Sequence, residues 1–136
     1  MQFVATTGAA PGYGAKFGLG LLYVLVADGL WLTLANKFGV YKLVTESEHV
    51  SRSKVGVALL VYASTISAIL ASIATSTPGE GASAGALLGL VAFVTFNATT
   101  WSINGRWHLK TALIDTCYGV TSCTLLGLVQ QAASQL

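Results

Sequence analysis

The chain has 136 residues, of which 54% are hydrophobic and only 9% carry a charged side chain. An ordinary soluble domain is about 25% charged, so the chain has too few charges to cover a water-exposed surface. The formal net charge is +2, and the basic residues form no continuous face that could follow a phosphate backbone. The composition excludes a soluble globular protein and predicts no nucleic-acid partner.

The first 16 residues are predicted to form an N-terminal tail, because they are rich in Gly, Ala and Thr and contain Pro11. This stretch lacks the basic start and apolar centre of a cleavable signal peptide. The first hydrophobic segment is therefore expected to act as its own membrane-insertion signal.

Four apolar blocks follow the tail. The first, residues 17–35, would rise about 28 Å as a helix, close to the hydrocarbon thickness of a bilayer. Backbone groups in lipid must be hydrogen-bonded internally, and the alternating polarity of β-barrel strands is absent, so the blocks are predicted to be helices. The predicted fold is therefore an all-α, integral membrane four-helix bundle over residues 17–129, followed by a C-terminal tail at 130–136. Its helices are expected at 17–35, 55–74, 84–102 and 110–129.

The basic residues predict the orientation of these helices. Six of the seven Lys and Arg residues lie in or beside two connections, 36–54 and 103–107, and only Lys16 lies at the other end of the helices. By the positive-inside rule, both connections face the cytoplasm or its topological equivalent. Both termini then lie on the non-cytoplasmic side of a membrane whose identity the sequence does not reveal.

Two acidic residues, Asp28 and Asp115, lie inside the apolar blocks, where an ionised Asp costs about 2.5 to 3.5 kcal/mol on insertion scales. Measured from the charged connections, Asp28 is about 10 Å deep, and Asp115 and Asn97 are about 7 to 8 Å deep. Tyr62 falls at a similar level. The sequence therefore predicts one intramembrane polar layer toward the cytoplasmic side, with two threonines nearby. The layer and these threonines are Asp28, Tyr62, Asn97, Asp115, Thr99 and Thr100.

Each acid is followed three residues later by an aromatic residue with a polar edge, Trp31 after Asp28 and Tyr118 after Asp115. Residues three apart share a helix face, so each aromatic side chain is a candidate donor to its own acid. Two interpretations of the layer stay open. It is either an internal clasp that fixes the register of the helices or a proton or ligand site.

Small residues recur at four-residue spacing in the third and fourth blocks. Gly85 and Gly89 follow Gly81 in one block, and Gly119 lies in the other. Such spacing lets two helix backbones approach closely in lipid. These glycines are therefore expected to form helix-packing seams.

No pattern of residues predicts catalysis. His49 and His108 lie in the charged connections without a second ligand at metal-binding spacing. The sequence also lacks a Gly-rich phosphate loop between a strand and a helix and a nucleophile elbow. No catalytic residue and no metal site are predicted, no cofactor is identified, and an enzyme is the least favoured class.

Three segments carry a family resemblance: Asp-Gly-Leu-Trp-Leu at 28–32, the glycine-rich stretch at 85–92, and residues 107–119. The chain resembles, over roughly residues 18–129, the small predicted membrane proteins of domain-of-unknown-function family 2177. The resemblance implies a four-helix membrane fold and brings no established activity with it.

The chain departs from the family pattern at two positions. Asn97 stands where the family usually has an acid, and His108 stands where a proline commonly follows the tryptophan.

Two functional hypotheses follow. The first is a non-enzymatic structural or accessory subunit of a larger membrane assembly, whose partners are the lipid bilayer and other membrane protein subunits. The alternative is a small transporter, or a lipid-binding or ligand-binding membrane protein, that uses the Asp, Asn and Tyr side chains of the polar layer. A cavity lined by those side chains would favour the alternative.

Overall fold

The computed structural model describes residues 12–42 and 52–136. Within those ranges it contains four helices and no strand. Each helix is long and apolar enough to cross a membrane. The predicted all-α, four-helix membrane fold is confirmed. The helices are α1 (Tyr13–Lys37), α2 (Arg52–Ala71), α3 (Pro78–Ile103) and α4 (Leu109–Ala133).

Successive helices run in opposite directions. At one end of the bundle, Lys16 Nζ from the start of α1 donates to the carbonyl of Ile73, just after α2, at 2.8 Å. At the opposite end, Thr111 Oγ1 from the start of α4 donates to the carbonyl of Val40, just after α1, at 3.1 Å. The end of the bundle that contains Lys16 and Ile73 is the terminal end, and the end that contains Val40 and Thr111 is the loop end.

Helices α3 and α4 pack most closely, whereas α1 packs against both α2 and α4, and α2 barely touches α3. Leucine, valine and phenylalanine side chains cover the outer surface of the bundle, which suits contact with lipid tails. The buried apolar core lies between α1, α2 and α4. Its members are Val24, Ala63, Ile66, Leu70, Cys123 and Leu126.

The start of α3 differs from the sequence prediction, which placed it at residue 84. The helix begins at Pro78, because Thr77 accepts a hydrogen bond from the backbone N–H of Glu80, and the Glu80 carboxylate accepts one from the backbone N–H of Thr77. This reciprocal arrangement is a capping box, and proline suits the first position of a helix. Residues that resemble a helix breaker therefore start a helix here.

The outer helices also extend beyond their predicted bounds. Residues 13–16 belong to α1 rather than to the N-terminal tail, and α4 continues to Ala133 rather than ending at 129. Polar residues at these ends are buried between helices, whereas hydropathy alone ends a segment at the first polar residue. Helix α2 instead ends at Ala71, three residues before its predicted end. Residues 1–11 of the predicted tail and 43–51 of the first connection lie outside the described residues.

Candidate functional site at the loop end

Asp115 of α4 is the centre of the polar layer and is only 7% exposed. The hydroxyl of Tyr41, from the segment after α1, donates to its Oδ1 atom. Asn97 of α3 donates from Nδ2 to its Oδ2 atom at 2.8 Å. Both carboxyl oxygens are thus engaged by other parts of the chain.

Two tryptophans extend this network on either side of Asp115. Trp31 of α1 donates from Nε1 to the Tyr41 hydroxyl at 2.8 Å. Trp107, between α3 and α4, donates from Nε1 to Oδ1 of Asn97 at 3.0 Å. A continuous chain of four hydrogen bonds therefore links α1 to the α3–α4 connection through Asp115.

Asp28 has a different partner from the one proposed from the sequence. The hydroxyl of Tyr118, on α4, donates to Asp28 Oδ1 on α1. The Tyr118 ring stacks on Trp31, with ring centroids 4.3 Å apart and planes 5° apart. Each aromatic residue therefore contacts the acid of the other helix. Tyr118 donates to Asp28 directly, and Trp31 reaches Asp115 through the hydroxyl of Tyr41.

Not every residue assigned to the layer joins this network. Tyr62 of α2 packs its ring edge-on against Phe93, with centroids 5.9 Å apart, and lies beside Cys123. Thr99 is exposed and Thr100 half-buried, and within the described residues neither side chain hydrogen-bonds to the acids. The threonine that does join is Thr116, whose hydroxyl accepts from Asn97 Nδ2 at 3.2 Å.

Tyr41 enters the layer because the chain reverses direction directly after α1. Gly39 has a φ of +69°, and the N–H of Val40 donates to the carbonyl of Ala35 at 2.9 Å. This pattern is a Schellman C-cap, in which glycine occupies the left-handed position. Burial and the hydrogen bond to Asp115 raise the pKa of Tyr41. The hydroxyl is therefore a hydrogen-bond donor throughout the neutral pH range.

A second polar cluster lies at the terminal end and was not predicted from the sequence. Gln130 of α4 is 1% exposed, and its Nε2 donates to the carbonyls of Lys16 and Ser67, each at 3.0 Å. This cluster joins α1, α2 and α4. Gln130 falls in the predicted C-terminal tail, at the end of an apolar block, where a polar residue gives no sign of burial.

The glycines of the third and fourth blocks lie between α3 and α4, where they form a glycine seam. A Cβ atom on Gly85 would collide with the backbone carbonyl of Cys123, and one on Gly89 would lie 2.8 Å from the carbonyl oxygen of Gly119. A Cβ on Gly119 would collide with the ring of Phe93. Only glycine fits at these positions without moving a neighbour.

Two cavities border the polar layer. The first, the loop-end cavity, has a volume of about 690 Å³ and lies between the segment after α1 and the start of α4. The second, the α1–α4 groove, has a volume of about 470 Å³ and is lined by Trp31 and Tyr118 among others. Tyr41, whose hydroxyl donates to Asp115, lines the loop-end cavity. Asp28, Asn97 and Asp115 line neither cavity.

Four apolar helices of alternating direction, joined by buried polar contacts at both ends, define a multi-pass integral membrane protein. The chain belongs to the family of predicted membrane proteins DUF2177, whose family model matches residues 13–132. The family resemblance predicted from the sequence is confirmed. A search of curated proteins and a search of solved structures each found no match.

Proposed function

We propose that this chain is a non-enzymatic structural or accessory subunit of a larger membrane assembly, and that its polar layer is a clasp between α1, α3 and α4. The observation that carries the proposal is the saturation of Asp115 and Asn97 by hydrogen bonds within the chain. Both oxygens of Asp115 accept hydrogen bonds, and Asn97 both donates and accepts. A proton or ligand site keeps a polar group available to its ligand, whereas a clasp engages its groups with one another.

The outer surfaces of α2 and α3 support a role within an assembly. Because these two helices barely touch each other, each keeps a broad apolar face on the outside of the bundle. Leu87 and Val91 of α3, for example, are exposed, as are Val57 and Val61 of α2. Faces of this kind pack against lipid or against the helices of neighbouring membrane subunits.

The orientation proposed from the sequence also gains support. Lys37, Arg106 and Lys110 are exposed at the loop end, where they suit the cytoplasmic face of a membrane. Lys16 lies at the terminal end and is buried. Its ammonium group donates a hydrogen bond to the carbonyl of Ile73. The exposed basic side chains of the described residues are thus concentrated at the loop end.

The alternative, a transporter or ligand-binding protein that uses the polar layer, rests on one observation. Tyr41 lines the loop-end cavity and also donates to Asp115, so a ligand in the cavity would be one hydrogen bond away from the carboxylate. Under this alternative, Asp115→Asn would abolish transport or binding while the fold survived. Under the clasp proposal, the same substitution has only a small effect on stability.

Substitutions at Asp115 test the clasp. Asp115→Asn keeps one acceptor oxygen, so we expect it to lower the free energy of unfolding by about 1 kcal/mol. Asp115→Leu leaves the Tyr41 hydroxyl and one N–H of Asn97 without this acceptor, and we expect a loss of about 2 to 3 kcal/mol. Unfolding in mixed micelles with increasing SDS measures both. Leu113→Ala, at an exposed position of the same helix, is the matched control. Equal stability of Asp115→Leu and the unchanged chain would contradict the clasp.

Extraction from native membranes tests the accessory role. A tagged chain solubilised in mild detergent is expected to migrate in a complex far larger than its own 14.1 kDa. The same partner should remain at a fixed stoichiometry through successive purification steps, and Asp115→Leu should reduce its yield more than Leu113→Ala does. Recovery of monomers alone, under several mild detergents, would overturn the proposal.

A further inference from the structure

The free polar groups of the loop-end cavity are suited to an anion. Among the described residues that line it, three, Arg106, His108 and Lys110, are basic and none is acidic. The Thr111 hydroxyl, which also lines it, is already engaged with the carbonyl of Val40, and the Tyr41 hydroxyl donates to Asp115. The Arg106 guanidinium, the Lys110 ammonium and the His108 imidazole therefore remain to interact with an occupant.

The start of α4 adds a second reason to expect an anion. The first backbone N–H groups of a helix carry partial positive charge, which an acidic residue or a side-chain cap usually compensates. Here the N-cap residue His108 makes no side-chain cap hydrogen bond, and the first turn contains no acidic residue. Lys110 instead lies in this turn, where its charge opposes the helix dipole. An anion near these groups would relieve that electrostatic conflict.

The α1–α4 groove continues from this cavity along the membrane-spanning part of α4. Ile114 lines both spaces, and the groove then follows α4 as far as Thr121 between apolar and aromatic side chains. From Leu113 to Thr121, the part of α4 that lines the groove, the helix rises about 12 Å. This length is most of the hydrocarbon depth of one leaflet, about 15 Å. The basic cavity is thus joined to an apolar groove that can hold most of one acyl chain.

We propose that the loop-end cavity and the α1–α4 groove together bind one anionic phospholipid from the leaflet at the loop end. Its phosphate lies between Arg106 and Lys110, beside the first N–H groups of α4, and one acyl chain lies along the groove past Ile114 and Cys117. Basic pockets between transmembrane helices suit such headgroups. The proposal goes beyond the accessory role and does not depend on it.

Native mass spectrometry of the full, delipidated chain tests this site. Phosphatidylglycerol and phosphatidylcholine with identical acyl chains are titrated separately, and we expect phosphatidylglycerol to bind on the order of tenfold more tightly. The double variant Arg106→Gln/Lys110→Gln should lower the affinity for phosphatidylglycerol to that for phosphatidylcholine. The matched control is Lys37→Gln/Lys54→Gln, which removes the same charge from two exposed lysines at the loop end that do not line the cavity. This control should keep the preference.

Three outcomes would overturn the proposal: equal affinity for the two lipids, an equal loss of preference in both double variants, or competition by glycerol phosphate as strong as that by phosphatidylglycerol. The last outcome would indicate a site for a free anion without an acyl chain.

A measurement on the unchanged chain guards against a variant that does not fold. Phosphatidylglycerol with a photoreactive acyl chain should cross-link to the peptide containing residues 113–121, and labelling confined to other helices would also overturn the site.

Discussion

The Tyr41 hydroxyl carries the connection between α1 and Asp115, since it accepts from Trp31 and donates to the carboxylate. It can do both only while it is protonated. Burial, and then the hydrogen bond to Asp115, raise its pKa above the ordinary value of 10.0. The folded chain therefore holds this proton more tightly than the unfolded chain does. A dependence of stability on alkaline pH follows.

We expect the contribution of Tyr41 to stability to be complete below about pH 10 and to decline as the pH rises further, because only the unfolded tyrosine then loses its proton. Tyr41→Phe should lower the free energy of unfolding at neutral pH by about 1 to 2 kcal/mol. It should also make the alkaline decline shallower. Unfolding in mixed micelles across neutral and alkaline pH measures both effects. Parallel pH curves for the two chains would show that Tyr41 is not the group responsible.

The sequence predicted the members of the polar network that lie within the apolar blocks better than those that lie outside them. Asp28, Asn97 and Asp115 are prominent because polar groups of this kind are costly in lipid and therefore rare. Tyr41 and Trp107 lie outside the apolar blocks, where aromatic residues ordinarily mark the membrane interface. Their role depends on how the chain folds back after each helix, as at Gly39. Hydropathy does not contain that information.

The glycine seam determines how closely α3 and α4 approach each other. Water does not drive helices together within lipid, so their association relies on van der Waals contact and hydrogen bonds. The glycines place backbone against backbone, with Gly85 facing Cys123 and Gly89 facing Gly119. The same close approach brings Asn97 within 2.8 Å of Asp115. Packing of the seam and formation of the polar layer are therefore coupled.

Gly85→Ala tests the seam at a point where the backbones of α3 and α4 are in contact. The new Cβ would lie 2.8 Å from the carbonyl carbon of Cys123, which is part of the backbone and cannot rotate away as a side chain would. We expect a loss of about 1 to 3 kcal/mol in the free energy of unfolding, typical of overpacking. Gly29→Ala is the matched control, because a Cβ there would meet no atom within 4 Å. Equal stability of the two variants would contradict the seam.

At the element scale, four-residue spacing identified Gly85, Gly89 and Gly119 because the period of a helix repeats along the whole segment. The ends of the helices were harder to predict. The α3 start depends on one local exchange of hydrogen bonds between Thr77 and Glu80, and the α4 end depends on the burial of Gln130 by two other helices. The exchange at α3 is visible in the sequence, where Thr77 precedes Glu80 by three residues. The burial of Gln130 exists only in the folded bundle.

Across the whole molecule, α1 and α4 are the two helices that both polar clusters share. The polar layer joins them to α3 at the loop end, and the Gln130 cluster joins them to α2 at the terminal end. Because the two clusters lie at opposite ends, they oppose both sliding and rotation of α1 against α4. The remaining surfaces of α2 and α3 need only be apolar. The pattern of apolar blocks along the sequence could therefore predict the four-helix fold, but not which helices contact one another.

The orientation of the whole bundle is tested by labelling two single cysteines. Gly105→Cys lies between α3 and α4 at the loop end, and Gln135→Cys follows α4 at the terminal end; both positions are exposed. Cys117 is replaced by alanine in both variants, and Cys123 is retained because it is only 2% exposed. The chain with Cys117→Ala alone is the control and should not react with a membrane-impermeant maleimide.

In sealed membranes whose non-cytoplasmic face is accessible, we expect the maleimide to label Gln135→Cys at once and Gly105→Cys only after permeabilisation. The physical reason is the concentration of exposed basic side chains at the loop end, which favours the cytoplasmic side. Labelling of both cysteines from one side would contradict four crossings. The reverse pattern would keep the fold but invert its orientation, and the phospholipid site beside Arg106 and Lys110 would then face the opposite leaflet.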